Sequence, residues 1–451
     1  MKVAEIDARK RNIMNSPKVG GSCEVDAVPY LRDLGIEISD KKQPIQFTPN
    51  FSERVHRWAG YIQGFSAEFV QSIIDDYRQE YDSLHILDPF AGCGTVLVQS
   101  KLSGYPSVGT ELNPLLAFLA DVKVNSWAVS PRALVTMYEA LARNIRKPSP
   151  AFLKSGKQFK PAILKELSCI NGAIDSIKAR GKNQKRLKDL LRLAFSSILI
   201  ECSNLKRTPC LGYSRSKVVD AGAPWRLFGQ KVHQIANDLK TIQNGFKESI
   251  AVESKVVCAN SMEYQHQRPF NLAITSPPYM NGLDYVMNYK IEMAWLGFTS
   301  DHKQAKKIKD SMVVCDNVSK ALIRNFSQSD SRYTNDWIDD ITHNIRRGIQ
   351  RRGNYRRPDM PFIVAKYFDD LHRVMRNVVV SLNPGGRFVL VIGDSLIADV
   401  YVPTDLILAK IGQELGLKIE KIEKARNRRS GQVRSYRLRE TIVTLKKGAR
   451  Q

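Results

Sequence analysis

No run of eighteen apolar residues occurs in this chain of 451 residues, so the sequence offers no candidate membrane-spanning helix. The opening stretch MKVAEIDARKRNIMNSP lacks the apolar centre of a signal peptide, and the expectation is a cytoplasmic protein with no membrane partner. CxxC pairs are missing too. The seven cysteines, Cys23, Cys93, Cys169, Cys202, Cys210, Cys258 and Cys315, are scattered and odd in number, which argues against a disulfide framework and against a zinc site. No metal is expected. Acidic residues are scarce beside basic ones: 45 Asp and Glu against 69 Lys and Arg leave a formal net charge of +24. That balance makes a polyanion, nucleic acid first, the expected partner, with a solvated basic face as the plain alternative. Hydrophobic residues make up 43%, enough for a sizeable core in one large domain with insertions or in two to three domains.

What is present has a recognisable order. Residues 1 to about 50 are polar and poorly periodic, an arm or small cap. FSAEFVQSIIDDYRQEY, residues 65 to 81, places Phe69, Ile73 and Tyr77 at helical spacing behind Ser66, an N-cap candidate. LHIL (84–87) reads as a short strand that ends in DPFAGCGT, then a helix over VLVQSKLSG, then a second strand at SVGTEL. Strand, glycine turn, helix and strand open a doubly wound sheet. Helical periodicity dominates 126–250, and strand patterns return at 254–260, 271–275, 386–394 and 441–447. The expected organisation is therefore an α/β, mostly parallel catalytic domain over 51–125, 251–299 and 363–451. A helical insertion at 126–250 and a basic insertion at 300–362 interrupt it.

Two places carry chemistry. In ILDPFAGCGTVL, Gly92 and Gly94 let the backbone turn tightly against a ligand while the next helix offers its first N–H groups. The three-glycine dinucleotide fingerprint is absent. Glu111, at the end of the second strand, is placed to accept hydrogen bonds from a ribose diol; an ordinary cap is the alternative. Further on, NLAITSPPYMNGLDY drives a strand into two prolines. Pro277 and Pro278 cannot continue a ladder, so the chain makes a stiff corner whose carbonyls and Ser276 hydroxyl are acceptors. An exocyclic amine suits such a corner; a proline turn with a packed tyrosine is the competing reading.

DPFAGCGT, TELNP, VVCAN and TSPPY, in that order, with HRWAGYIQGFSAEFV upstream, resemble the S-adenosylmethionine-dependent amino-methyltransferases of DNA. TSPPY is similar to the form common among the cytosine-N4 enzymes. The resemblance covers roughly 50–125 and 252–300, with weaker support from 366–447. It implies a Rossmann-like class I methyltransferase fold, S-adenosylmethionine as cofactor and double-stranded DNA as partner, in a nucleoid-associated protein with a cognate restriction endonuclease. Asp88, Phe90, Gly92, Gly94 and Thr95 would then surround the methionine part of the cofactor, Glu111 its ribose, Asn260 its adenine and Ser66 its carboxylate. Asn260 stands where the family often has an aspartate, and Ser66 serves equally as an N-cap. Ser276, Pro277, Pro278 and Tyr279 would form the target-base pocket, with Tyr279 stacking on an extruded base. Adenine N6, an amine in RNA, and a non-catalytic nucleic-acid binder are the rival readings. Cytosine-C5 transfer would need a thiolate after a proline, and Pro209-Cys210 is placed far from any expected strand end.

The arginines of HNIRRGIQRRGNYRR and EKARNRRSGQVRSYRLR suggest phosphate-tracking surfaces, with Arg346, Arg347, Arg351, Arg352, Arg356, Arg357, Arg428 and Arg429 as the contacts. For target recognition the 126–250 insertion, with Lys206, Arg207, Arg215, Lys217 and Trp225, comes first and the 300–362 insertion second.

Overall fold

In the computed structural model, the described residues are 22–41, 45–62, 64–81, 83–143, 148–153, 156–208, 210–267, 269–282, 284–430 and 436–449. Strands β1 (Ile38–Asp40), β2 (Ile86–Asp88), β3 (Ser107–Glu111), β6 (Ser254–Cys258), β7 (Phe270–Thr275), β8 (Leu382–Gly393), β11 (Leu417–Arg429) and β12 (Arg437–Lys447) form one eight-stranded sheet. Two short hairpins lie outside it, β4 (Leu205–Arg207) with β5 (Leu211–Tyr213), and β9 (Ser395–Ile397) with β10 (Val400–Val402). The sheet order is β1-β11-β12-β8-β7-β2-β3-β6, parallel from β8 to β6, with β12 antiparallel to both its neighbours. This is the mostly parallel, doubly wound sheet of a Rossmann-like methyltransferase fold.

The central strands are apolar on both faces because helices cover both. Neighbouring residues along each strand enter opposite cores: Ile86 against Leu87, Leu272 and Ile274 against Ala273, Val389 and Val391 against Phe388 and Leu390. One face carries the helices Ala67–Tyr77, Thr95–Leu102 and Pro114–Asn125 together with the insertion helices Pro131–Arg143, Pro161–Asp175, Gly181–Ile198 and Ala223–Gly245. The other carries Asp336–Arg352, Met360–Ser381 and Thr404–Glu414. Within Asp336–Arg352, the buried Trp337, Ile338, Ile341, Ile345 and Gly348 recur at helical spacing. The 300–362 stretch is thus anchored in the core through Asp336–Arg352, whose exposed residues include Arg346, Arg347, Arg351 and Arg352.

The N-terminal stretch is more integrated than an arm. β1 adds a strand beside β11, Tyr30 meets the Trp337 ring edge-on at 4.8 Å, and Tyr436 hydrogen-bonds Asp26. Three residues of strand and two short helices carry too little periodicity to stand out in sequence. The Gly20-Gly21 part of that stretch lies outside the described residues. No helix among the described residues is long and apolar enough to cross a membrane, and no group of His, Cys, Asp or Glu there could hold a metal ion.

Sheet order fixes where a ligand goes. From β2 the chain winds outward to β3 and β6, then returns to β7 on the opposite side of β2. The reversal between β2 and β7 opens a crevice beyond their carboxyl ends.

Candidate active site

One cleft occupies that crevice. It is lined by Pro89 and Phe90 after β2, Glu111 and Leu112 at the end of β3, Asn260 and Ser261 after β6, and Ser276 and Pro278 after β7. Tyr61, Leu116, Tyr285, Met312 and Val313 close it. The glycine turn and the proline elbow are neighbours because β2 and β7 pair in parallel, Ile86 opposite Leu272 and Leu87 opposite Ala273.

Asp88 joins the two. Its Oδ1 accepts from the Phe90 N–H at 3.0 Å and from the Thr275 hydroxyl at 2.7 Å. It is buried and does not line the cleft. Its place is therefore behind the cofactor turn, binding that turn to the residue just before the elbow. Burial pushes its carboxyl up to about 7, and the Thr275 and Phe90 hydrogen bonds offset part of the rise.

Glu111 faces the cleft. Its Oε2 accepts from Gly92 N at 2.9 Å and its Oε1 from Asn113 N at 2.7 Å. Burial raises this carboxyl to about 7 against the pull of those backbone donors. Each carboxylate oxygen retains a second acceptor site, which suits a diol. Gly92 and Gly94 have φ of 51° and 86°, the left-handed region that favours glycine. A Cβ on Gly92 would lie 2.9 Å from the Tyr61 hydroxyl, and one on Gly94 3.0 Å from Ala120 Cβ. Thr95 begins the helix Thr95–Leu102, buried behind the turn.

Asn260 lines the cleft, but its amide is already engaged: Oδ1 accepts from Met262 N at 3.1 Å and Nδ2 donates to the Ser311 carbonyl at 3.3 Å. The planar apolar room for a heterocycle comes from Phe90, Leu112, Met312 and Val313. Ser66 caps the helix Ala67–Tyr77, accepting from Phe69 N at 3.1 Å, and is buried outside the cleft lining. Five residues from it in the same upstream segment, Tyr61 takes the cleft position, stacked on Tyr285 at 5.8 Å and Tyr289 at 6.3 Å. Adjacent aromatic and glycine letters in that segment were the available signal for it.

At the elbow, Ser276 and Pro278 face the cleft and Pro277 is buried. The Pro278 carbonyl accepts from the Tyr367 hydroxyl at 2.9 Å. Tyr279 donates to Glu440 Oε1 at 2.5 Å, and the Arg428 guanidinium lies 5.5 Å from its ring centre. Nothing in the sequence flags Glu440 or Tyr367.

The arginines divide. Arg346, Arg347, Arg351, Arg352, Arg356 and Arg429 are exposed, although Arg352 pairs with Asp399 and Arg356 with Asp316. Arg357 and Arg428 are not surface contacts. The first is bonded to Asp359 and to the Asp316 and Val318 carbonyls, the second to the Asp394 carbonyl beside Tyr279. In the insertion, Lys206 and Arg215 are exposed, whereas Lys217 donates to the Ile200 and Leu205 carbonyls and Arg207 is held by Asn288 and Glu292. Trp225 packs near Phe228. Cys210 is exposed on the β4–β5 hairpin and does not line the cleft; Pro209 lies outside the described residues.

No family model matches the chain. It is similar to the Type II methyltransferase M.BsoBI of Geobacillus stearothermophilus, 23% identical over 440 residues, covering 85% of this chain and 83% of that protein. M.AvaI of Nostoc sp. is 24% identical over 420 residues, 84% of this chain and 82% of its own. M.MvaI of Kocuria varians is 20% identical over 416 residues, 84% and 85% respectively. Among solved structures, the rRNA methyltransferase aviRa from Streptomyces viridochromogenes matches 88% of this chain and 92% of its own at 8% identity and a TM-score of 0.32, too weak a likeness to carry an argument. Sequence similarity to methyltransferases over most of the chain, on a doubly wound sheet with a carboxylate and apolar planes at the switch point, assigns S-adenosylmethionine as the cofactor.

Proposed function

We propose that this protein is a site-specific DNA methyltransferase that places a methyl group on the exocyclic N4 of cytosine, by base flipping and direct transfer, as the modification half of a restriction–modification system. One observation carries the reading. The acceptor-rich elbow and the glycine turn border a single cleft and are bonded together through Thr275 and Asp88.

Bound in the cleft, S-adenosylmethionine supplies an electrophilic methyl on a sulfonium. The chain's own work is positioning. Glu111 would hold the ribose diol, the apolar walls of Phe90, Leu112 and Val313 would take the adenine, and the Gly92–Gly94 bend would let backbone approach the methionine part. The Ser276 hydroxyl and the Pro277 carbonyl accept the two N–H groups of the target amine, turning its lone pair toward the methyl group. No protein nucleophile is needed, so the rate rests on alignment and electrostatics. Tyr279 stacks on the extruded base, since the amine cannot reach a donor from within the duplex.

The relatives named as Type II methyltransferases support the restriction–modification part. The β4–β5 hairpin, with exposed Lys206 on β4 and exposed Arg215 just beyond β5, is the proposed target-recognition element, and exposed Arg346, Arg347, Arg351 and Arg429 the proposed phosphate contacts. Incubating the protein with isotopically labelled S-adenosylmethionine and unmodified DNA or RNA, then weighing the nucleosides, tests the proposal. Labelled N4-methyldeoxycytidine is the expected product; N6-methyladenine or a label confined to RNA would replace it with one of the alternatives.

A further inference from the structure

Val55 is an anomaly in the segment upstream of the cofactor turn. It is a β-branched residue at φ 65° and ψ −48°, outside the conformations such residues ordinarily adopt, and it is fully buried. Strain of this kind persists only where the surroundings over-determine it, and it collects at ligand sites. The surroundings here are charged side chains from helices far along the chain.

Asp238, on the insertion helix Ala223–Gly245 and 1% exposed, gives its whole carboxylate to this turn. Its Oδ2 accepts from Val55 N at 3.3 Å, Arg57 Nε at 3.1 Å and Trp58 Nε1 at 2.9 Å, and its Oδ1 accepts from Arg57 Nη2. Lys123, buried on Pro114–Asn125, donates to the His56 carbonyl at 3.1 Å and to the Ala59 carbonyl at 3.0 Å. Lys231, from the same insertion helix as Asp238, donates to the Arg57 carbonyl at 3.0 Å. Every residue from Val55 to Ala59 is thus bonded to one of these three side chains.

Anchoring the buried Trp58 ring would need only a partner for its indole N–H. The further bonds to backbone fix the direction in which the chain leaves the turn. Gly60 and Tyr61 come next. A Cβ on Gly60 would lie 2.9 Å from the Phe51 ring, so the exit is tight. Tyr61 then lines the cleft, close enough to the glycine bend that a Cβ on Gly92 would meet its hydroxyl oxygen at 2.9 Å, and it stacks on Tyr285.

We infer that Asp238, with Lys123 and Lys231, positions Tyr61 as the wall of the cofactor site beside the Gly92 bend, so that the helical insertion sets the affinity for S-adenosylmethionine. Asp238 touches no ligand; it is a positioning residue that acts through the backbone from Val55 to Gly60. The insertion then has two tasks, its β4–β5 hairpin facing the target and its helix Ala223–Gly245 serving the cofactor. This rests on the cofactor occupying the cleft and is independent of which amine is methylated.

Calorimetric titration of the full chain with S-adenosylhomocysteine, beside DNA binding measured by anisotropy without cofactor, tests the inference. D238N is expected to weaken S-adenosylhomocysteine binding about five- to twentyfold while DNA affinity stays near that of wild type. Y61L should lose at least as much, and the double variant no more than Y61L alone, because both changes act at one wall. Wild-type S-adenosylhomocysteine affinity in D238N, equal losses for S-adenosylhomocysteine and DNA, or losses that multiply in the double variant would overturn the assignment. Should D238N not fold, W58F removes a single donor and keeps an aromatic ring in place. Binding about two- to fourfold weaker is then expected, and unchanged binding would overturn it. A wild-type protein that binds no S-adenosylhomocysteine would overturn the cofactor reading itself, and this inference with it.

Discussion

Glu111 and Asp88 share an unusual circumstance: two buried carboxyls that each accept a backbone N–H of the cofactor turn, both raised to about 7 from ordinary values of 4.5 and 3.8. A folded-state pKa above the unfolded one means the native protein holds protons that the unfolded chain has already lost. The stability these groups contribute is full below about pH 4 and drains away as pH rises through 7. Glu111→Gln should therefore flatten the fall of unfolding free energy between those limits by up to about 1.4 kcal/mol per pH unit, read from denaturant titrations at several pH values. At the glycine bend, Gly92→Ala forces a left-handed φ on a residue with a Cβ and drives that Cβ toward the Tyr61 ring. A loss of about 1–2 kcal/mol in stability, with weaker cofactor binding by calorimetry, is expected. Gly92, Glu111 and Ser276 were legible in sequence because each directly follows or ends an apolar run. Glu440 was not. It lies 161 positions from Tyr279, and only the pairing of β12 with β8 and β11 brings it to the elbow.

Among the elements, the four parallel strands that aim the site announce themselves as apolar runs ending in glycine, glutamate, asparagine or proline. What sequence misjudged is the basic run at 423–439. Strand β11 continues through Arg429 and β12 starts at Arg437, so over half of that run is paired backbone: Arg439 is buried against Asp405, Arg428 donates to the Asp394 carbonyl, and the exposed Arg426 pairs with Glu440. Charge counting cannot distinguish an arginine facing solvent from one buried against carboxylates. The β4–β5 hairpin is the second case. Arg207 donates to the Asn288 carbonyl at 2.7 Å and to Glu292 at 2.5 Å, clamping the hairpin to the helix Tyr285–Trp295 that leaves the elbow. Arg207→Met should destabilise the protein by about 2–4 kcal/mol, because Glu292 is left buried without its partner. Thermal or urea unfolding would register it, and adding Glu292→Leu should recover part of the loss.

At the scale of the whole molecule, the excess of positive charge and the placement of the cleft argue together. The exposed face of Asp336–Arg352 supplies Arg346 and Arg347, while the fold spends other arginines on internal carboxylates. DNA affinity is expected to fall with salt along a log–log slope of about −0.9 per neutralised phosphate, and each of R346A and R347A to flatten it by about that amount. Fluorescence anisotropy across a salt series measures this, and slopes unchanged in both variants would remove that face from the DNA-binding surface. The central claim is that one crevice, between the bend after β2 and the elbow after β7, brings donor and target amine together. A crystal structure with S-adenosylhomocysteine bound tests it most directly. The expected result is the ribose on Glu111, the adenine between Leu112 and Val313, and the sulfur turned toward Ser276. A ligand seated elsewhere, for instance in the groove of His266, Val380 and Lys447 at the opposite ends of β7 and β8, would contradict it.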